Sequence, residues 1–231
     1  AESGTTDTFT VVLDAEPTSD VVLTVTSSDP GEATVTSTLT FTSANWDTPQ
    51  TITVTGVDDD LIDGDIVSTV TVVVDDANSD DDFDAVADQT ISATTTDDDV
   101  AGFTIVESDG STEVAESGST DTFTVVLDAQ PTSDVVLTVT SSDTGEATVT
   151  SSLTFTPANW DTPQTITITG VDDDIIDGTV TSTITISVVD ASSNDNFDSV
   201  ADQTVSATTT DDDVAGFTIV ESDGSTEVDE S

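Results

Sequence analysis

The chain has 231 residues, of which 49 are Asp or Glu, and it contains no Lys, Arg, His or Cys. Its formal charge of -49 therefore has no basic side chain to offset it. We exclude nucleic acids and anionic membrane surfaces as partners, because binding of either depends on Lys and Arg. The lack of Cys excludes a disulfide framework and Cys-based zinc sites. Because the uncompensated negative charges repel one another, a compact state needs salt or bound metal ions.

The sequence repeats at an offset of 114 residues, and only 19 of 99 positions differ between residues 1–99 and 115–213. A period of this length corresponds to a whole domain. We predict that residues 1–99 are a first β-sandwich repeat that lacks its first strand, and that residues 100–213 are a complete second repeat. Residues 214–231 repeat the start of the second one. They are either the first strand of a following repeat or a donor strand for a neighbouring subunit.

Short segments of alternating apolar and polar residues, separated by turns, predict an all-β fold. In TDTFTVVLD, for example, Phe123, Val125 and Leu127 share the face that we expect to be core. The fold class is therefore tandem Ig-like antiparallel β-sandwiches with an extra C-terminal strand. In the second repeat the predicted strands are 103–107, 112–115, 120–128, 135–141, 147–155, 164–169, 180–189 and 200–209.

The acidic residues cluster in particular loops. Each repeat has an Asp triplet between its sixth and seventh strands, at 58–60 and 172–174, and a second after its last strand, at 97–99 and 211–213. In an antiparallel sandwich these segments meet at one end, together with Glu2 or Glu116 and Asp29 or Asp143. Six to eight carboxylate oxygens at one place favour Ca²⁺ over Mg²⁺, which requires a stricter octahedron. The alternative is that these are solvated turns of a halophilic protein.

Several motifs together resemble the Calx-β domain, a Ca²⁺-binding sandwich of sodium–calcium exchangers and large bacterial surface proteins. They are Glu-Ser-Gly before the strand FTVVLD, a strand ending in Ser-Ser-Asp, the run NWDTPQTITITGVDDDIIDG and a terminal DDD. The resemblance implies Ca²⁺ as the bound ion and acids from four segments as its ligands. In the first repeat these are Glu2, Asp29, Asp58, Asp59, Asp60, Asp63, Asp97, Asp98 and Asp99. In the second they are Glu116, Asp143, Asp172, Asp173, Asp174, Asp177, Asp211, Asp212 and Asp213.

A second set of acids follows the first strand of the second repeat and its copy. These residues are Glu107 and Asp109, with Glu221 and Asp223 in the copy. We interpret them either as further Ca²⁺ ligands or as solvated turn residues.

Composition argues against an enzyme, because a chain without His, Cys, Lys, Arg or Tyr offers Ser and Thr no general base. We expect an extracellular or cell-surface structural protein, a filament or an adhesin or biofilm stalk, rigidified by Ca²⁺ at its domain junctions. Its expected partners are copies of itself, head to tail, or further repeats in the same chain. The alternatives are an ancillary non-catalytic module of a secreted enzyme, or an acidic halophile surface-layer or cell-wall protein without specific Ca²⁺ sites.

Overall fold

The structure is a computed structural model that describes residues 1–221, 224 and 226–229. The chain forms two compact units, residues 1–101 with 129–132, and residues 102–128 with 133 onwards. The fold is all-β, as predicted, and the helices among the described residues are four single turns of 3-10 type. None of these helices is long and apolar enough to cross a membrane.

Strands of three to nine residues account for nearly all of the regular structure. In the first unit they are β1 (Thr6–Val11), β2 (Val21–Ser27), β3 (Ala33–Val35), β4 (Thr38–Phe41), β5 (Gln50–Gly56), β6 (Ile66–Val74) and β7 (Gln89–Thr95). In the second they are β8 (Phe103–Glu107), β9 (Thr112–Ala115), β10 (Thr120–Leu127), β11 (Val135–Ser141), β12 (Ala147–Val149), β13 (Ser152–Phe155), β14 (Gln164–Gly170), β15 (Val180–Val188) and β16 (Gln203–Thr210). The 3-10 turns are Asp76–Asn78, Asp81–Phe83, Asp190–Ser192 and Asp195–Phe197.

The second unit is a sandwich of two sheets, with strand orders β12-β14-β10-β8 and β13-β11-β15-β16-β9. Every ladder is antiparallel except the one between β16 and β9, which is parallel. Because β8 lies at the edge of one sheet and β9 at the edge of the other, the segment 103–115 closes one side of the sandwich.

The first unit has the same arrangement without that segment. Its sheets have the orders β1-β5-β3 and β4-β2-β6-β7, and all their ladders are antiparallel. Among the described residues no strand pairs with the outer edge of β1 or of β7.

The core lies between the two sheets and follows the alternation of the sequence. Phe123, Val125 and Leu127 are each at most 3% exposed, which confirms the predicted core face of β10. One predicted strand, 147–155, is wrong. The chain passes there from one sheet to the other, so β12 pairs with β14 and β13 pairs with β11.

Candidate metal centres

Five acidic side chains meet at one end of the second unit. Glu116 follows β9, Glu146 precedes β12, Asp177 lies between β14 and β15, and Asp211 and Asp213 follow β16. One carboxylate oxygen each of Glu116, Asp211 and Asp213 lie within 4.8 Å of one another, and the same holds for Glu116, Glu146 and Asp177. Glu116 belongs to both groups, so two adjacent positions for a cation share one carboxylate.

The first unit repeats this arrangement at the equivalent positions. Glu2, Asp97 and Asp99 form one group with oxygens within 4.8 Å, and Glu2, Glu32 and Asp63 form the other. We call these five residues, and their five counterparts in the second unit, the acidic end of each unit. The agreement between the units shows that the arrangement is a property of the repeat.

The central glutamates of both acidic ends are buried without a partner. Glu2 and Glu116 are each 1% exposed, and neither oxygen of either carboxylate makes a hydrogen bond to any residue that the structure describes. One oxygen each of Glu32 and Glu146 is also buried and unpartnered. A buried carboxylate is costly unless it is paired or binds a metal, and the sequence has no Lys, Arg or His to pair with it. Bound cations fit these orphaned oxygens.

A glycine in each unit makes room for the central glutamate. A Cβ atom on Gly170, at the end of β14, would clash with the carbonyl oxygen of Ala115, and one on Gly56 would clash with that of Ala1. The backbone just before each glutamate therefore runs directly against the glycine. On the other side, the Glu116 N–H donates to the Thr210 carbonyl at 3.1 Å. These two contacts fix where Glu116 enters the site.

Backbone hydrogen bonds fix the acids that follow the last strand. In the second unit, the Asp211 carboxylate accepts from Gly178 N at 2.8 Å and from Asp213 N at 2.7 Å. The first unit has the same pair of bonds to Asp97, from Gly64 N at 2.7 Å and from Asp99 N at 2.8 Å. Each of these aspartates thus joins the turn after the last strand to the loop that carries the neighbouring acid.

The pKa values of these groups reflect their burial and the crowding of like charges. Burial, followed by the charges of Asp97 and Asp59, raises the pKa of Glu2 to about 7. Burial and neighbouring carboxylates also raise the pKa of Glu32 and of Asp63. Without a cation these sites therefore favour bound protons, and a cation that binds must displace them.

The pKa values of the two buried glutamates of the second unit are raised in the same way. Burial, followed by the charge of Asp211, raises the pKa of Glu116, and burial with the charge of Asp177 raises that of Glu146. Asp211 is the exception, because the hydrogen bonds from Gly178 and Asp213 lower its pKa. Asp211 therefore keeps its charge to lower pH than Glu116 and Glu146 do.

Eight predicted ligands lie in the acidic ends, four in each unit. They are Glu2, Asp63, Asp97, Asp99, Glu116, Asp177, Asp211 and Asp213. Ten others lie outside these groups among the described residues, and they are Asp29, Asp58, Asp59, Asp60, Asp98, Asp143, Asp172, Asp173, Asp174 and Asp212. Several of these tie down their own loops. The Asp173 carboxylate, for instance, accepts from Ile175 N at 2.6 Å, and the Asp143 carboxylate accepts from Gly145 N at 3.0 Å.

Sequence reasoning missed Glu32 and Glu146, which are each 7% exposed. Their backbone is held by the loop after the neighbouring strand, since Val57 N donates to the Glu32 carbonyl and Val171 N to the Glu146 carbonyl, both at 2.8 Å. The sequence did contain a signal for these two residues. Most of the acids are Asp, and residues 1–99 and 115–213 share only two glutamate positions, the one at Glu2 and the one at Glu32. Both positions are buried in the site.

The second set of predicted acids lies elsewhere. Glu107 ends β8, and its carboxylate accepts from the Thr112 hydroxyl at 2.8 Å, while Asp109 is exposed in the turn that follows. Glu221 accepts from the Thr226 hydroxyl at 3.1 Å. Asp223 lies outside the described residues. Among the residues that the structure describes, none of this set belongs to a group of converging acids.

Comparison with known proteins gives structural similarity alone. No known family and no curated protein matches the chain. Among solved structures, the apo-form Calx CBD1 domain matches 48% of this chain and 98% of its own, with 16% identity and a TM-score of 0.35. The calcium binding domain CBD12 of CALX1.1 matches 80% of this chain and 74% of its own, with 16% identity and a TM-score of 0.35.

Domains 1–6 of the surface layer protein SbsC match 82% of this chain, with 19% identity and a TM-score of 0.39. This chain covers only 20% of that structure. At these values the similarities do not identify a homologue.

Proposed function

We propose that the chain is a non-enzymatic, Ca²⁺-dependent structural repeat protein of an extracellular filament or adhesin stalk. One observation carries the proposal. Each unit buries a glutamate, Glu2 or Glu116, whose two oxygens face other carboxylates and have no hydrogen-bond partner in the described part of the chain. A chain without basic side chains satisfies such a group only by protonation or by a bound cation.

The chemistry of the ligands favours Ca²⁺ among biological cations. All the converging atoms are carboxylate oxygens, which suit hard cations, whereas Zn²⁺ and the later transition metals prefer His and Cys. The ligands come from loops and strand ends, and Ca²⁺ tolerates their irregular geometry better than Mg²⁺ does. Since Glu116 is shared by two groups of acids, we propose two adjacent ions in each unit.

A structural role fits the repetition of the site. The same acidic end occurs at the equivalent sequence positions of both units. A stalk needs many stiff and similar units, whereas catalysis gains nothing from near-identical copies that lack a base and a nucleophile. In this role Ca²⁺ joins the loop before the penultimate strand, β6 or β15, to the turn after the last strand, β7 or β16. Those joined segments resist opening of the unit.

Calorimetric titration of the chelator-stripped protein tests the binding. We expect Ca²⁺ to bind at sites in both units and Mg²⁺ to bind more weakly. Titration of a Glu2→Gln, Glu116→Gln double variant should lose this binding, because both central carboxylates are gone. A Glu16→Gln, Glu113→Gln variant is the matched control, since it removes two exposed glutamates and should bind as the parent does.

The mechanical role has its own test. Single-molecule stretching of residues 1–231 should give a higher unfolding force for each unit in Ca²⁺ than in chelator at the same ionic strength. Equal stabilisation by Na⁺ and Ca²⁺ at matched ionic strength would instead support a halophile surface protein without specific sites.

A further inference from the structure

An open apolar groove runs along one side of the first unit. It has a volume of about 600 Å³ and is lined by side chains of both sheets, among them Phe9, Val11, Leu13, Phe83 and Ile91. Large apolar side chains on the facing sides of two sheets normally lie in the interior of a sandwich. Their partial exposure means that the two sheets of this unit are not closed on that side.

The second unit shows what the same positions look like when the sandwich is closed. Phe123 and Phe197, the counterparts of Phe9 and Phe83, are fully buried. Ile91 is 40% exposed, whereas its counterpart Val205 is 5% exposed. The sequences at these positions are almost the same, so the difference arises from what covers them.

In the second unit β8 and β9 provide the cover. Phe103 and Ile105 of β8 stand opposite Leu127 and Val125 of β10, and β9 runs beside β16. Phe103 is 2% exposed. Polar contacts add to the packing, because Gln203 Nε2 donates to the Phe103 carbonyl at 2.5 Å.

The carboxylate of Asp121 also binds this segment, by accepting from Ser108 Oγ at 3.1 Å and from Glu113 N at 2.8 Å. In the first unit the equivalent acceptor and donor have local partners among the described residues. Asp7, the counterpart of Asp121, accepts from its neighbour Thr8 N at 2.7 Å. Gln89, the counterpart of Gln203, donates to the Ala87 carbonyl at 2.9 Å.

The chain contains a second copy of the covering segment. Residues 217–228 read FTIVESDGSTEV, which is identical to residues 103–114. In the structure Phe217, Ile219 and Val228 are 80 to 89% exposed. The hydrogen bond from the Thr226 hydroxyl to Glu221 repeats the one from the Thr112 hydroxyl to Glu107.

We propose that the groove of the first unit binds residues 217–228 of a second copy of this chain, which add an edge strand to each of its sheets. The register follows from the second unit. Phe217 stands opposite Leu13 and Ile219 opposite Val11, and the second strand runs parallel to β7. Donor and acceptor are different parts of the chain, so the contact is heterologous and links copies into open chains. The proposal does not depend on the Ca²⁺ sites.

Sedimentation and light scattering of residues 1–231 over a range of concentrations test it. The mass should rise with concentration from 23.7 kDa through multiples of that value. A Phe217→Ser, Ile219→Ser donor variant should stay at the mass of one chain. Val220→Ser is the matched control, because its counterpart Val106 is 56% exposed in the closed unit and the change removes an apolar side chain without touching the groove. It should assemble as the parent does.

A mixing experiment separates a second copy from any other occupant. Ile91→Asn changes a side chain that is 40% exposed in the open unit, so it should leave the fold intact and block the groove. Alone it should stay monomeric. Mixed with the donor variant it should form a complex of two chains and no larger species, since one partner keeps its donor and the other its groove. A parent chain that stays monomeric at all concentrations, or a donor variant that assembles as Val220→Ser does, overturns the proposal.

Discussion

Replacing Glu116 by Gln tests the central feature of the acidic end. The change keeps the size of the side chain and removes its charge. Because Glu116 contributes an oxygen to both groups of acids in the second unit, the substitution should weaken both proposed Ca²⁺ positions at once. Substitution of any other acid of that end should affect only one of the two.

The size of the effect follows from binding linkage. A ligand present at 100 times its Kd stabilises the native state by about 2.7 kcal/mol for each site. For a domain of roughly 100 residues, 1 kcal/mol shifts Tm by about 4–8 °C, so one Ca²⁺ should raise the Tm of the second unit by about 10–20 °C. The Glu116→Gln variant should lose most of this increase.

Without Ca²⁺ the effect of Glu116→Gln on Tm should have the opposite sign. Burial and the charge of Asp211 raise the pKa of Glu116, so its ionised form destabilises the native state. Gln carries no charge, and in chelator at pH 8 the variant should therefore melt at a higher temperature than the parent. A variant that is more stable without Ca²⁺ and less stable with it identifies Glu116 as a ligand, because a purely structural defect lowers Tm in both conditions.

Differential scanning calorimetry at constant ionic strength, with Ca²⁺ or with chelator, measures both effects. Glu113→Gln is the matched control, since Glu113 is exposed three residues earlier and carries the same charge. Its Tm in Ca²⁺ should equal that of the parent. The reasoning would be refuted if Glu116→Gln kept the full Ca²⁺-dependent shift, or if Glu113→Gln lost as much.

Two further predictions concern backbone space and pH. Gly170→Ala places a Cβ against the Ala115 carbonyl, so denaturant titration should show that the free energy of unfolding falls by about 1–3 kcal/mol. Calorimetry should show weaker binding of Ca²⁺. An unchanged free energy of unfolding and unchanged binding would contradict the role given to this glycine. In chelator the first unit should become less stable as pH rises from about 4.5 through 7, because the pKa of Glu2 is raised to about 7 and ionisation is unfavourable in the native state. The first unit should also lose stability as pH falls from about 4 towards 2, since hydrogen bonds from Thr18, Ser19 and Asp82 lower the pKa of Asp80 to about 2. Urea titrations between pH 2 and pH 8 would measure the loss of stability on both sides.

The strands were largely predictable because successive residues of a strand point to opposite faces of the sheet, so that apolar and polar residues alternate along it. Phe123, Val125 and Leu127 alternate with Thr and Val residues, and the predicted limits of β8, β9 and β11 agree with the structure. The split between β12 and β13 was not predictable by this means. Thr150 and Ser151, where the chain changes sheets, are polar residues that also occur inside strands, and no Gly or Pro marks the crossing.

The site was predictable in its location and less so in its members. Asp triplets are conspicuous in the sequence, and they do lie in the loops that meet at the acidic end. The middle residues of the triplets at 58–60 and 172–174, however, hydrogen-bond within their own turns, as when Asp59 accepts from Leu61 N at 2.8 Å. The buried Glu146 stands alone before a short strand, and only its depth in the fold distinguishes it from a surface glutamate. Burial depends on contacts between distant segments, which local sequence patterns do not contain.

Because the chain has no basic side chains, the buried glutamates of the acidic ends make its fold dependent on the medium. In most proteins a buried glutamate can be paired with a Lys or Arg from a neighbouring strand, and the fold is then independent of the medium. Here no such side chain exists, and burial together with neighbouring carboxylates raises the pKa of Glu2 and of Glu116. Near neutral pH the native state must therefore take up either protons or cations from outside. Since proton uptake grows weaker as pH rises above 7 while Ca²⁺ binding grows stronger, stability of the proposed stalk should depend most on Ca²⁺ in mildly alkaline media.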